Sequence, residues 1–406
     1  MATHGKMQAA TTPVEVAVAL LTGGGDKPYA LGMASALSAR GISVDFIGSD
    51  DLDVSELRSI ESLNFLNLRG DQRTDVSFLR KTTRVLIYYW QLVRYAATAR
   101  PKLFHILWNN KFEFFDRTFL MAYYKLIGKR IIFTAHNVNA AKRDSKDTHL
   151  NRLTLRIQYR LVDHIFVHTA DMQQELSADF HVPAEKITVI PFGINNTVPN
   201  TGLTTLNAKR KFGIDSRQKT LLFFGNIAPY KGLEYLLAAF NEIAKKDSDY
   251  RLIIAGRLKS CEEYWAMIQK QIASNHLDAQ IVWRIGYVPD EEVEQYFKAA
   301  DVLLLPYTHI FQSGVLFLAY SFGLPVIATN VGSLRETIIE GRTGYVCAPR
   351  DAVGLARAIK TYFASGLYRH LEVERAAIQR LANERHSWNR VGETTSLVYE
   401  HVVKQR

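Results

Sequence analysis

Short apolar runs alternate with amphipathic helical stretches along almost the whole chain. In the first half, the runs lie at residues 14–21, 44–47, 104–107, 131–134, 165–167 and 187–190, and a helical pattern at residues 28–40 follows the first of them. Strands that alternate with helices pair in parallel, because each helix returns the chain to the same end of the sheet. The first half is therefore predicted to form a parallel α/β sheet.

The same alternation restarts after residues 195–203, a segment rich in Asn, Thr, Pro and Gly. Apolar runs follow at residues 220–224, 252–255, 281–283, 302–305, 326–329 and 345–347. A chain of 406 residues also favours two domains, since a domain usually has roughly 100 to 200 residues. We predict a disordered tail at residues 1–13, Rossmann-like domains at residues 14–200 and 201–385, and a last helix at residues 386–406.

Composition narrows the classes of protein to which the chain can belong. The longest apolar runs are far shorter than the roughly 20 residues of a membrane-spanning helix, and the polar start lacks the apolar core of a secretory signal. Cys261 and Cys347 lie far apart without a histidine cluster, which argues against a disulfide framework or a zinc site. We therefore expect a soluble, cytoplasmic protein. The net charge of +10 suits nucleotide diphosphates, anionic lipid surfaces or nucleic acid, without choosing among them.

Two loops that follow strands have the composition of phosphate-binding loops. Gly24 and Gly25 lie between the first strand and the first helix, where missing side chains let backbone amides approach a phosphate. Lys231 lies at a helix start after the first strand of the second half and can neutralise a diphosphate. The alternatives are a tight turn for the glycines, which lack the G-x-G-x-x-G spacing of dinucleotide sites, and a solvated surface lysine.

A larger set of motifs occurs in fixed order. It comprises residues 225–232, 254–257, 285–289, 300–306, 323–326, 331–336 and 341–344, together with residues 104–105, 134–137 and 190–195 of the first half. This set resembles the retaining family 4 glycosyltransferases of the GT-B fold. The resemblance implies two Rossmann-like domains facing a central cleft, with the C-terminal helix crossing back to the first domain.

The resemblance also implies an activity. A hexosyltransferase of this kind moves a sugar from a nucleotide-sugar donor to a saccharide or lipid-linked acceptor with retention of anomeric configuration, in polysaccharide or glycoconjugate biosynthesis. Neither a metal nor a cofactor is expected, and nucleic acid is not an expected partner. An Asp-x-Asp sequence at Asp51 and Asp53 is interpreted as an acidic turn rather than a metal site.

Site residues follow from the resemblance position by position. His136, Lys231 and Gln312 are the expected catalytic residues, whereas His105 and His168 are interpreted as structural. The expected donor-binding residues are Gly24, Gly25, Asn226, Arg257, Tyr287, Val288, Ser313, Gly314 and Val315.

The chain departs from the family pattern at a pair of glutamates and at Asn226, which stands where an arginine is usual. Many family members carry a pair of glutamates eight residues apart before the Gly-x-Pro-Val segment, where this chain has Ile310 and Leu318. The loop between them resembles a Gln-Ser-Gly subset of the family. Ser313, Gly314 and Val315 would begin a helix whose amides can hold a pyrophosphate without a carboxylate.

Several alternatives remain open at this point. The aromatic and basic residues at 78–102 and 110–130 are compatible with helices resting on an anionic membrane, or with core packing that leaves charged outer faces. The loss of the glutamate pair also favours a non-catalytic, nucleotide-sugar-binding partner of a polysaccharide assembly complex. A nucleotide-sugar epimerase or a phosphorylase is a third candidate, and a dehydrogenase is disfavoured because the dinucleotide spacing is missing.

Overall fold

The structure is a computed structural model that describes residues 16–73, 76–143, 146–196, 198–259 and 261–404. The predicted tail at residues 1–13 lies outside the described residues. Two parallel sheets run through the described part of the chain.

The first sheet, sheet A, has the strand order β3-β2-β1-β4-β5-β6-β7. Strand β1 pairs with both β2 and β4, so that Val18 lies opposite both Val44 and Leu103. Its strands are β1 (Ala17–Leu21), β2 (Ser43–Gly48), β3 (Leu63–Asn67), β4 (Leu103–Ile106), β5 (Arg130–Thr134), β6 (His164–Val167) and β7 (Ile187–Val189).

The second sheet, sheet B, has the order β10-β9-β8-β11-β12-β13. Leu222 of its central strand lies opposite Ile253 on one side and Leu303 on the other. Its strands are β8 (Lys219–Phe224), β9 (Tyr250–Gly256), β10 (Ile281–Ile285), β11 (Val302–Leu305), β12 (Val326–Thr329) and β13 (Gly344–Cys347).

Helices connect the strands in both sheets. In the first half they are α1 (Lys27–Ser38), α2 (Ser55–Arg58), α3 (Phe78–Thr98), α4 (Glu113–Phe115), α5 (Met121–Leu126), α6 (Ala140–Arg143), α7 (His149–Leu161) and α8 (Ala170–Phe180). They continue with α9 (Thr205–Lys211), α10 (Leu233–Ala244), α11 (Glu262–Ser274), α12 (Asp290–Ala299), α13 (Gly314–Ser321), α14 (Leu334–Thr337), α15 (Ala352–Ala364), α16 (Gly366–Arg369), α17 (Leu371–Arg385) and α18 (Trp388–Lys404). Short 3-10 turns occur at Asp50–Leu52, Ala184–Lys186, Pro229–Lys231 and Asp278–Gln280, and a π turn at Asp116–Leu120.

The predicted two-sheet α/β architecture is confirmed. Every residue of β4, β6, β11 and β12 is buried, as expected for parallel strands covered on both faces. Strand β3 was not predicted from the sequence. It is an edge strand in which Asn64 and Asn67 are exposed, so its residues do not form an apolar run.

Contacts between residues group the chain into two compact units. Among the described residues, the first comprises residues 16–134, 160–165 and 392–404, and the second comprises residues 135–159 and 166–391. The predicted domain boundaries at residues 200 and 385 remain predictions. No helix among the described residues is long and apolar enough to cross a membrane.

The part of α18 that belongs to the first unit, from Gly392 onward, is held there by buried contacts. The Tyr399 hydroxyl lies 2.5 Å from Nδ1 of His105, whose Nε2 lies 2.7 Å from Thr134 Oγ1. Burial lowers the pKa of His105 to about 3, so the ring is neutral. Both ring nitrogens of His105 make hydrogen-bond contacts with buried side chains, as a structural residue would.

A buried ion pair lies at the amino-terminal ends of the central strands of sheet B. Lys209 Nζ lies 2.9 Å from Asp301 Oδ2 and also donates to the Gln218 carbonyl at 2.6 Å. The Thr220 amide donates to the same Asp301 oxygen at 2.7 Å. The pair therefore joins α9 to the starts of β8 and β11.

Candidate functional site

Lys231 lies in the turn that connects β8 to α10 and is 6% exposed. Its ammonium lies 3.8 Å from the centre of the Tyr307 ring, in a cation–π contact. Gly232 follows with φ +66°, and a Cβ atom there would meet the Pro306 carbonyl oxygen at 2.0 Å. Only glycine permits this close approach, which brings Lys231 to the carboxyl end of β11.

The start of α13 lies beside this lysine. Tyr307 connects the two, because its hydroxyl lies 3.4 Å from Ser313 Oγ, directly before the helix. The Ser313 side chain does not cap the helix. The amides of Gly314 and Val315 therefore belong to a helix end that carries partial positive charge and can bind an anion.

The loops after β8, β9 and β10 complete the same end of sheet B. A Cβ atom at Gly225 would meet Val315 Cγ2 at 3.2 Å, which places this loop against α13. Arg257 Nε donates to Asn226 Oδ1 at 3.2 Å, and the Gly286 amide donates to the Gly256 carbonyl at 2.9 Å. The structure thus brings together Asn226, Arg257, Lys231 and residues 313–315, all predicted from the sequence.

The two predicted residues after β10 differ in exposure. Tyr287 is 68% exposed, whereas Val288 is buried in the core beneath sheet B. The Tyr287 ring can therefore pack against a ligand, while Val288 can offer only its backbone.

Gln312 is held by a neighbouring hydroxyl. The Ser333 hydroxyl contacts Gln312 Oε1 and also lies 2.9 Å from the Phe311 carbonyl. With Oε1 of the Gln312 amide against Ser333, Nε2 is the amide atom placed to donate to a ligand.

Ile310 and Leu318, which replace the usual glutamates, are both buried. They belong to the continuous apolar core of the second unit. Their side chains thus take part in packing, and a carboxylate at either position would be buried.

His136 follows β5 and contacts a second histidine. Its Nδ1 lies 3.1 Å from Nε2 of His168, whose Nδ1 lies 3.3 Å from the Ile190 carbonyl. Burial lowers the pKa of His168 to about 4, so its ring is neutral near pH 7 and carries one proton.

The hydrogen-bond pattern fixes the position of that proton. A carbonyl only accepts, so His168 Nδ1 donates to Ile190, and His168 Nε2 then accepts from Nδ1 of His136. Neutral His136 therefore has its lone pair on Nε2, where it can accept a hydrogen bond from a ligand hydroxyl.

An aromatic layer connects the histidines to α13. His168 packs edge-on against Phe192, with ring centres 5.0 Å apart, and Phe192 stacks on Phe317 of α13 at 5.2 Å. His136 is thus fixed relative to the helix that supplies the Gly314 and Val315 amides.

The glycine loop after β1 is filled by neighbouring side chains of the first unit. A Cβ atom at Gly24 would meet Arg69 Nη1 at 2.3 Å, and one at Gly25 would meet the Trp108 ring at 1.9 Å. The Gly25 amide donates to Thr22, and Asp26 caps α1 by accepting from the Tyr29 amide. These contacts give the glycines a packing role, and the capping carboxylate disfavours an anion at this helix end.

The acidic turn near β2 is engaged in an ion pair. Asp53 accepts two hydrogen bonds from Arg58, and these hydrogen bonds lower the pKa of the Asp53 carboxyl. In the part of the chain that the structure describes, no three His, Cys, Asp or Glu side chains cluster as metal ligands would.

The sequence did not point to Tyr307 or Ser333 as site residues, and His168, which we interpreted as structural, also belongs to this site. His168 had a usable signal, since it and His136 each follow one of two neighbouring parallel strands, whose carboxyl ends lie together. Tyr307 is fully buried and resembles any core aromatic residue.

Two sequence families match the chain. The family described as "Glycosyltransferase Family 4" matches residues 23–197, and "Glycosyl transferases group 1" matches residues 218–365. Together these matches cover most of both sheets.

Three relatives that the chain matches carry the name of a glycosyltransferase. The chain is 26% identical over 232 residues to an uncharacterized glycosyltransferase of Methanocaldococcus jannaschii, covering 56% of this chain and 57% of that protein. It is 29% identical over 251 residues to D-inositol 3-phosphate glycosyltransferase of Pseudarthrobacter chlorophenolicus, covering 61% and 58%. These two matches thus span little more than half of each relative. The enzyme of the same name from Corynebacterium diphtheriae is 24% identical, with 93% and 89% covered.

Solved structures show the same fold. Sucrose-phosphate synthase of Thermosynechococcus elongatus superposes with a TM-score of 0.75 at 18% identity, covering 97% of this chain and all of that one. Anabaena HepE in complex with UDP-glucose superposes with a TM-score of 0.72 at 14% identity, covering 95% and 99%. With one glycosyltransferase family model matching each half of the sequence and two parallel α/β sheets in the structure, the chain has the GT-B fold and is similar to glycosyltransferases in both halves.

Proposed function

We propose that the protein transfers a sugar from a nucleotide-sugar donor to an acceptor hydroxyl, with retention of anomeric configuration. The observation that carries the proposal is the buried Lys231 ammonium beside the uncapped start of α13. A buried cation and free helix amides together suit a pyrophosphate, and they stabilise the charge that develops as the diphosphate leaves. This positive charge comes from the chain itself, so the proposed reaction requires neither a metal nor a cofactor.

The remaining site residues have proposed roles at the sugar and the nucleotide. His136 accepts a hydrogen bond from a sugar hydroxyl through Nε2, and Gln312 donates one through its amide. The backbone at Val288 and the exposed Tyr287 ring lie near the base, while Arg257 and Asn226 lie near the phosphates. The acceptor hydroxyl attacks from the face that the nucleotide leaves, and the departing diphosphate takes its proton.

One observation favours a second candidate, a non-catalytic nucleotide-sugar-binding protein. Ile310 and Leu318 are packed in the core where family members usually carry glutamates. Detectable donor turnover, including slow hydrolysis, would exclude this candidate. Product analysis with and without an acceptor would distinguish a transferase from an epimerase.

A thermal-shift screen against UDP, GDP, ADP and their sugars tests the donor site. A ligand that binds only the folded protein stabilises it by about 2.7 kcal/mol at 100 times its dissociation constant. We expect one of the three nucleotides to raise the melting temperature more than the others. If none of them shifts it at millimolar concentration, the proposed function is wrong.

Replacing His168 tests whether it positions His136. In His168→Phe the ring still packs against Phe192, but the acceptor for His136 Nδ1 is lost. Losing this buried hydrogen bond, worth about 1 to 3 kcal/mol, should lower kcat about five- to 150-fold, with little change in the KM of the donor. His168→Gln retains a polar acceptor and should recover part of the rate. Equal rates in all three proteins would exclude a positioning role.

We further propose that the acceptor is lipid-linked and that the protein works at the inner face of the cytoplasmic membrane. The support is an apolar stripe on α3, formed by Leu79, Leu86 and Trp90, which are 78%, 62% and 61% exposed. Arg80 and Arg84 flank it, and Arg94 lies over the Trp90 ring at 5.5 Å. Exposed apolar side chains next to cations match the interface of an anionic bilayer.

Vesicle flotation tests this membrane contact. The double variant Leu79→Ser/Trp90→Ser should bind phosphatidylglycerol vesicles at least about tenfold more weakly, since burying one large apolar side chain is worth about 1.5 to 3 kcal/mol. Leu397→Ser, which changes an exposed leucine of α18, is the matched control. Unchanged flotation of the double variant would contradict the proposal.

A further inference from the structure

Arg69 is a buried cation of the first unit with unused hydrogen-bonding capacity. It follows β3 and is 8% exposed, and its Nη1 makes no hydrogen bond to any described residue. Its guanidinium lies against Gly24 and over the Tyr88 ring, at 5.5 Å from the ring centre. No described carboxylate forms an ion pair with it. Burying a guanidinium without a carboxylate is costly, so the site is suited to an anion that arrives from solution.

Further cations surround the same guanidinium. One pocket beside it is lined by Arg69, Arg84, Tyr88, Asn110 and Lys111, among others. A second, more open pocket of about 340 Å³ is also lined by Arg69 and Arg84, together with Arg80. Asp71 is the one acidic residue among the described residues that line the two pockets. Four cations against one carboxylate make this surface strongly positive.

Neutral polar groups in the first pocket are held in fixed orientations. The Tyr88 hydroxyl donates to Asn110 Oδ1 at 2.8 Å, and Asn110 Nδ2 donates to Asp116 Oδ1 at 3.2 Å. The Tyr89 hydroxyl donates to the same carboxylate oxygen at 2.9 Å. This network fixes the orientations of Tyr88 and Asn110 in the pocket lining and is suited to binding a hydroxylated molecule in one orientation.

The pockets also occupy the functional end of sheet A. Arg69 follows β3, the glycine loop follows β1, and Asn110 follows β4, so all lie beyond the carboxyl ends of parallel strands. Ligands of doubly wound sheets bind at this end.

We propose that the two pockets lined by both Arg69 and Arg84, which we together call the arginine pocket, bind a phosphate group of the acceptor substrate. That the bound molecule is the acceptor rests on the proposed function. The phosphate site itself is supported by the burial of Arg69 and by the cations around it. Arg69 and Arg84 bind the phosphate oxygens through paired N–H groups, as arginine does at phosphate sites, and Lys111 adds charge. The phosphate belongs either to a soluble phosphorylated polyol or sugar, or to a lipid headgroup.

Calorimetric titration of the full chain with glycerol 3-phosphate and with glycerol tests the pocket. We expect binding of the phosphorylated polyol only, and binding about ten- to 100-fold weaker in Arg69→Met and in Arg84→Met, as for loss of hydrogen bonds to a charged group. Arg84 is only partly buried, so its variant keeps the test valid if Arg69→Met fails to fold. Arg100→Met removes an exposed charge beyond the end of α3 and should bind as the parent does.

Two further measurements distinguish the arginine pocket from the donor site and a soluble phosphate from a lipid phosphate. If Lys231→Ala retains phosphate binding and Arg84→Met weakens it, the anion binds in the arginine pocket. If Lys231→Ala weakens phosphate binding and Arg84→Met retains it, the anion binds in the donor site and the proposal is wrong. Binding only to phosphatidylglycerol vesicles, with the same dependence on Arg84, identifies a lipid phosphate as the source. If neither probe depends on Arg69 or Arg84, the proposal is wrong. The nucleotide thermal shift on the same preparations reports separately on the proposed function.

Discussion

Replacing Lys231 with alanine is expected to lower kcat/KM for sugar transfer about 100- to 1,000-fold, the usual cost of removing one group that stabilises transition-state charge. The ammonium is 6% exposed and lies beside the start of α13. In such a site water screens charge poorly, so the lysine contributes more than a surface cation would. The measurement is steady-state kinetics with the nucleotide sugar that the thermal-shift screen identifies.

The matched control is Lys259→Ala, which removes an exposed lysine from the loop after β9. It should transfer sugar at the parental rate. Lys231→Ala should also lose most of the thermal shift caused by the nucleotide diphosphate, while its own melting temperature stays close to that of the parent. Parental transfer by Lys231→Ala would remove the main support for the proposed donor site.

In the proposed donor site, backbone and neutral groups take the place of the missing carboxylates. Where many family members have two glutamates, this chain has buried apolar side chains, and the polar contacts come from residues 312–315 instead. The Ser333 hydroxyl directs the Gln312 amide, and the His168 imidazole directs His136. Both arrangements use a neutral partner to fix which atom faces the ligand, which is how an uncharged site can still hold a sugar in one orientation.

Much of the fold could be predicted from the sequence, because the alternation of apolar runs with amphipathic helices reports burial directly. The helix beginning at Gly314 was predicted from three residues and a loop, and the structure confirms it. Strand β3 was missed because an edge strand with exposed asparagines carries no apolar run. Periodicity thus detects buried strands better than edge strands.

The candidate site could be predicted only in part, and the missed residues share a physical reason. Tyr307 resembles a core aromatic residue until the Lys231 ammonium is seen over its ring. Arg69 lies in a polar segment, and its burial depends on a glycine of another loop, Gly24, leaving room for its guanidinium. Such contacts join residues far apart in the chain, and no local pattern in a single sequence encodes them.

Replacing Lys209 with methionine is expected to destabilise the fold by about 3 to 5 kcal/mol, the usual cost of removing one partner of a buried ion pair. The side chains of Lys209 and Asp301 are 3% and 6% exposed. Burial already raises the pKa of Asp301, and the Lys209 ammonium opposes that rise. Without the lysine, the aspartate is left as a buried charge whose remaining support is the Thr220 amide and the more distant charge of Arg375. Urea denaturation followed by circular dichroism measures the loss.

The pH dependence and a second variant identify the cause of that loss. With its folded-state pKa raised further, Asp301 in Lys209→Met takes up a proton on folding, so the deficit relative to the parent should shrink from pH 7.5 to pH 5.5 and grow as pH rises. In Lys209→Met/Asp301→Asn the asparagine oxygen still accepts from the Thr220 amide and no charge is buried, so most of the lost stability should return. A double variant no more stable than Lys209→Met would mean that the lysine contributes mainly through packing and its hydrogen bond to Gln218 rather than through its charge. In either case the pair lies at the starts of β8 and β11, at the opposite end of these strands from the proposed donor site. Both variants should therefore still show a rise in melting temperature when the nucleotide is added.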